Sequence, residues 1–97
     1  MLAEARSRIR RYAPADAKAD PDLLIVDIRS VDEREPHGVI EGAKHVPLPV
    51  LPWRTEELFD RRVCLVCAHG YSSSLAAALL VELGVDAGDL IGGYEAW

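Results

Sequence analysis

The sequence predicts an α/β domain built on a parallel sheet flanked by helices. Two short aliphatic runs, residues 23–28 (LLIVDI) and 63–67 (VCLVC), have no polar alternation, as expected of strands buried on both faces. A mostly apolar helical segment, residues 75–83, follows the second run, and a third short strand is expected near Leu90. Strands alternating with helices indicate a parallel sheet.

The bulk properties bound the rest. A chain of 97 residues is one domain, residues 1–97, and buries roughly two-thirds of its unfolded surface. With 49% hydrophobic residues it builds a core without disulfides or a structural metal. The formal net charge of −5 argues against a nucleic-acid or anionic-membrane partner. An anionic substrate therefore needs a local positive site. No stretch approaches the ~20 apolar residues of a membrane span. Residues 1–12 are charged throughout and lack the apolar centre of a signal peptide. The expected location is cytoplasmic, with both cysteines reduced.

Along the chain, Leu2, Ala5, Ile9 and Tyr12 recur at helical spacing, with Arg6, Arg8, Arg10 and Arg11 around them. This predicts an amphipathic first helix with a solvated basic face. Pro14 is expected to end it, and residues 15–22 to be a polar connection. Residues 30–42, with Pro36, Gly38 and Gly42, read as mostly loop. A short strand is expected within 43–48. Pro47, Pro49 and Pro52 predict an extended, non-helical segment, followed by one or two helical turns over 53–60. Ala68 to Tyr71 is a tight loop containing Gly70, and Ser72, Ser73 and Ser74 supply helix caps. Gly84 stops the helix.

The informative unit is strand, cysteine, loop, helix. Cys67 ends a strand at the carboxyl edge, where open α/β sheets place their sites. Loop amides from Ala68 onward can converge on its sulfur, and a helix N-terminus adds positive potential. Both favour thiolate over thiol. A structural cysteine at a strand end is the other reading of that position. Cys64 and Cys67 form a C-x-x-C, but three residues along a strand span ~10 Å and put the side chains on opposite faces. A disulfide needs Cα atoms within ~7 Å. The same geometry excludes a zinc site from Cys64, Cys67 and His69, so Cys64 is assigned to the core. His69 is either exposed or turned toward the thiolate; His37 and His45 carry no assigned role.

These residues resemble the rhodanese-like domains. That family has a Cys-x-x-Gly-x-Arg-Ser loop after a central strand, matched here by Cys67, Gly70 and Ser73, with Ser72 where many members have arginine. Asp27 and Arg29 resemble the family's Asp-x-Arg element. Residues 38–43 (GVIEGA) resemble its Gly-His-Ile-Pro-Gly-Ala element, with Val39 and Glu41 in place of histidine and proline. Residues 83–85 and 90–97 (LIGGYEAW) resemble its helix end and its Gly-Gly-x-x-Ala-Trp turn. The likeness runs from Leu23 to Trp97; members usually continue with a further helix.

The resemblance implies a sulfurtransferase, thiosulfate sulfurtransferase-like, with Cys67 as the nucleophile that holds a persulfide. Ala68, His69, Gly70, Tyr71, Ser72 and Ser73 would bind the substrate, and Asp27 and Arg29 would support the loop. No cofactor or metal is implied. The partners would be a small sulfur donor, thiosulfate or a persulfide, and a thiol, cyanide or protein acceptor. Ser72 predicts weak thiosulfate binding. Two other functions stay open: a non-enzymatic binding or sulfide-sensing module, and a phosphatase or arsenate reductase. The last needs Cys-x5-Arg, and Ser73 stands at that arginine position.

Overall fold

In chain order, helix α1 (Leu2–Ser7) leads into strand β1 (Arg10–Tyr12), helix α2 (Pro14–Ala19) and strand β2 (Leu23–Asp27). Helix α3 (Val31–His37), the two-residue strand β3 (Lys44–His45) and a 3-10 segment (Leu48–Leu58) follow. Strand β4 (Arg62–Val66), helix α4 (Ser72–Glu82), strand β5 (Asp86–Leu90) and a 3-10 turn (Tyr94–Ala96) complete the chain. This computed structural model describes residues 2–97. The five strands form one sheet in the order β1-β5-β4-β2-β3, and every pairing is parallel.

The predicted α/β class is therefore the observed one. β2 and β4 pair from Leu23 opposite Arg62 to Asp27 opposite Val66. Their carboxyl ends align, so Ile28 and Cys67 leave the sheet at the same edge. Residues alternate between two cores. Val26, Ile28, Val63, Leu65 and Cys67 face one side, with Leu51, Leu58, Ala77 and Leu80 packed over them. Cys64, Val66, Leu23 and Leu90 face the other, with Tyr12, Ala17 and Ile40. Cys64 and Cys67 thus lie in opposite cores, as the strand period requires. Gly88 of β5 lies against β1 so closely that a Cβ would collide with the Arg10 carbonyl oxygen.

Several local expectations give way. The first helix stops at Ser7, and residues 10–12 form an edge strand on β5 with Tyr12 buried. Tertiary pairing overrides the helical spacing there. Pro14 opens a helix instead of closing one. It stands at the first helical position, where a missing N–H costs nothing. Within residues 30–42, α3 is fixed by a reciprocal cap: the Glu33 amide donates to Ser30 Oγ (3.2 Å), and the Ser30 amide donates to Glu33 Oε1 (3.0 Å). The proline-rich stretch is 3-10 helix, not extended chain. The φ that proline imposes suits that conformation, and the segment breaks only at Arg54 (φ −122°, ψ 16°).

Candidate active site

Cys67 follows the last residue of β4 and is 8% exposed. Its Sγ accepts hydrogen bonds from the Gly70 amide (3.1 Å) and the Ser73 amide (3.3 Å). One donor belongs to the loop and the other to the first turn of α4, so the sulfur sits at a helix N-terminus. Both donors stabilise negative charge on it.

The serines are not caps. Tyr71 holds the N-cap position with no side-chain cap bond. Ser73 Oγ stands 3.3 Å from Cys67 Sγ and donates to Asp89 Oδ2 at 2.9 Å. Ser74 Oγ lies 2.6 Å from the same Oδ2 and 3.1 Å from the Gly70 carbonyl oxygen. Only Ser72 is exposed.

A cavity of about 330 Å³ opens in front of the sulfur. Cys67, Ala68, His69, Tyr71 and Ser72 form one wall, and Ile28, Arg29, Ser30 and Glu33 form another, with Leu48 and Pro49 between. Of the six residues expected to bind substrate, four line this cavity. Gly70 and Ser73 do not: they sit beside the sulfur and reach it through their amides. His69 Nδ1 contacts Glu95 Oε2 at 2.6 Å, so this ring nitrogen is engaged by the C-terminal turn.

Asp27 and Arg29 are a brace. Arg29, 2% exposed, donates from Nε to Asp27 Oδ1 (3.0 Å) and from Nη2 to Asp27 Oδ2 (2.8 Å). Its Nη2 also reaches the Gly38 carbonyl (2.9 Å), and its guanidinium lies 3.8 Å from the Tyr94 ring centroid. The Tyr94 hydroxyl donates to the His37 carbonyl oxygen (2.7 Å). These contacts tie the end of β2 to α3 and to the C-terminal turn. They also engage the one arginine on the cavity wall with a carboxylate. Arg54 pairs with Glu57 and does not line the cavity.

Several contributors escaped the sequence reading. Arg6 donates to the Gly70 carbonyl (2.9 Å) and to Ser74 Oγ (3.1 Å), so part of the basic face thought to be solvated braces the cysteine loop. Arg11 pairs with the buried Asp89 at 2.8 Å. The amides of Tyr94 and Glu95 donate to the carbonyls of Cys67 (2.8 Å) and Ala68 (3.1 Å). Gly93 allows that approach: its φ is +68°, and a Cβ would stand 2.5 Å from the Cys67 carbonyl oxygen and 2.6 Å from the Gly70 nitrogen. An acid inside the strand DAGDL was the one visible signal for Asp89.

Fold and site together define a parallel α/β protein with a thiol cradled between a central strand and a helix N-terminus. The chain belongs to the rhodanese-like domain family, whose model matches residues 13–97. It is 38% identical over 96 residues to thiosulfate sulfurtransferase GlpE of Stutzerimonas stutzeri, a match covering 91% of this chain and 84% of that protein. A rhodanese-related protein from Thermoplasma volcanium superposes with a TM-score of 0.82 at 28% identity, covering 91% of this chain and 89% of the other. A Rhodopseudomonas palustris protein described as a possible tyrosine phosphatase gives a TM-score of 0.84 at 29% identity, over 99% and 84% of the two chains.

Proposed function

We propose that this protein is a sulfurtransferase that carries sulfane sulfur as a persulfide on Cys67. The observation that carries this reading is the pair of amides, from Gly70 and Ser73, aimed at Sγ beneath an open cavity. Cys67 thiolate attacks the outer sulfur of a donor such as thiosulfate. A new S–S bond forms, the donor's S–S bond breaks, and its electron pair leaves with sulfite. A thiol, cyanide or protein acceptor then attacks the outer sulfur of the persulfide and returns Cys67 as thiolate. Ala68, His69, Tyr71 and Ser72 shape the donor site, and the loop amides hold the charge. Asp27 and Arg29 act by fixing the neighbouring wall. The chemistry needs free thiols, which suits a cytoplasmic setting; both cysteines are free. No helix among the described residues is long and apolar enough to cross a membrane.

Intact mass after exposure to thiosulfate, or to a small persulfide, tests this. Wild type gains the mass of one sulfur atom, and Cys67→Ser gains none. Loading that survives in Cys67→Ser, or wild type that loads from neither donor, overturns the reading. The second outcome would leave a binding module. The likeness to a possible phosphatase raises phosphate-ester hydrolysis as a rival. Against it, the position where such enzymes carry arginine holds Ser73, buried against the Asp89 carboxylate. A phosphate dianion there would lack its bidentate partner.

A further inference from the structure

Asp89 is the one fully buried carboxylate next to the cysteine loop that sulfur transfer does not itself require. It projects from β5, which runs beside β4, and is 0% exposed. Its carboxylate accepts from Arg11 Nε (2.8 Å), Arg11 Nη2 (3.3 Å), Ser73 Oγ (2.9 Å) and Ser74 Oγ (2.6 Å). A carboxylate with that many donors acts as an acceptor only. The single Ser73 hydroxyl proton is therefore committed to Asp89, and a lone pair of Ser73 Oγ faces Cys67 Sγ at 3.3 Å. A lone pair there accepts a hydrogen bond from a thiol and repels a thiolate.

We propose that Asp89 is a positioning residue: by holding the Ser73 proton it turns an oxygen lone pair toward Cys67, favours the thiol over the bare thiolate, and relieves that penalty once the charge has moved to the outer sulfur of a persulfide. The two amides and the serine oxygen then pull in opposite directions on the unloaded sulfur. Loading lets the charge keep the amides' field while moving one atom away from the lone pair. The inference rests on Cys67 being the reactive thiol of the proposed function. Its readout is alkylation, which needs no sulfur transfer, so the two readings fail separately.

The other charged and titratable groups around the pair are the same in all four proteins compared. Arg29 and Glu33 face Cys67 from the opposite wall, and His69 and Tyr71 from its own loop. Asp89 is faced by Arg11 from β1 and by Cys64 from β4. Arg6 approaches from α1 through Ser74. Burial, with Asp89's charge second, pushes the Cys64 thiol up to about 12.

The experiment follows iodoacetamide alkylation of Cys67 against pH, read by peptide mass, in wild type, Asp89→Asn, Ser73→Ala and the double variant. Asp89→Asn should lower the half-reaction pH by about one unit, which at a fixed pH below the midpoint is about tenfold more thiolate. In the Ser73→Ala background the same substitution should move it less than half as far. Ser73→Ala alone should also lower it, because the thiol loses its acceptor; this arm stands even if Asp89→Asn does not fold. An unchanged or raised midpoint in either single variant overturns the proposal. Equal Asp89→Asn shifts with and without Ser73 overturn it too, since they would reflect charge acting through space alone.

Discussion

Replacing Ser72 with arginine tests how this site holds an anionic donor. Ser72 is the exposed first residue of α4 and lines the cavity with Cys67. The cavity's existing arginine, Arg29, is spent on Asp27, and Glu33 adds an acid to the opposite wall. Arg29 is also only 2% exposed, so thiosulfate meets backbone amides and little accessible positive charge. One charge-assisted hydrogen bond from a new guanidinium to a sulfonate oxygen contributes about 1.5–3 kcal/mol. Pairing of the new arginine with Glu33 pulls the gain toward the lower end, about tenfold in affinity. A neutral thiol persulfide has no such oxygen and gains much less. The assay is the second-order rate of Cys67 loading with both donors, for wild type and Ser72→Arg. Equal gains with both donors, or none with thiosulfate, would refute the argument that missing positive charge limits the site.

Three further outcomes follow from the geometry. At neutral pH the native protein should be alkylated at Cys67 only, and at both cysteines after denaturation, because Cys64 is fully buried and burial pushes its thiol up to about 12; Cys64→Ala should keep sulfur loading and cost about 1 kcal/mol in urea unfolding. Gly93→Ala should cost at least about 2 kcal/mol, from its φ of +68° and the contacts a Cβ would make with Cys67 and Gly70. It should also slow loading in the fraction that remains folded, by displacing the Gly70 amide; wild-type stability and loading would contradict the close approach. Arg54, then Lys44, hold the Glu57 carboxyl down to about 2 from 4.5. A depressed carboxyl stabilises the fold fully above about 4.5, and that contribution is lost as pH falls toward about 2. Glu57→Gln should flatten urea stability over this window, more visibly at low salt.

The central part of the fold was legible because its signals are local. LLIVDI and VCLVC read as buried strands, and the period of a strand placed Cys64 and Cys67 in opposite cores. The loop after Cys67 was legible for the same reason: strand end, glycine and helix start are adjacent in sequence. The edge of the sheet was not. Residues 10–12 are a strand only because β5, more than seventy residues later, offers a free edge. Ser73 and Ser74 misled because their partner, Asp89, lies on a strand that follows their helix. The α3 helix, in contrast, was missed despite a local signal, since Ser30 and Glu33 have capping-box spacing and the nearby glycines and proline drew the eye to a loop.

The seam between the cysteine loop and the Gly93–Tyr94–Glu95 turn has a consequence for how the protein is made. The ribosome delivers Cys67 before Gly93, and at typical elongation rates the gap is roughly 1–5 s. Until Gly93, Tyr94 and Glu95 are delivered, the carbonyls of Cys67 and Ala68 have no turn to receive, and the Gly70 amide is not yet pinned. The strand that carries Asp89 also emerges within it. The nascent chain thus passes through a stage in which its thiol is present but not yet cradled. Competence for sulfur arrives only once residues 93–95 are in place, so a loading assay on stalled chains of increasing length would time the closing of the fold.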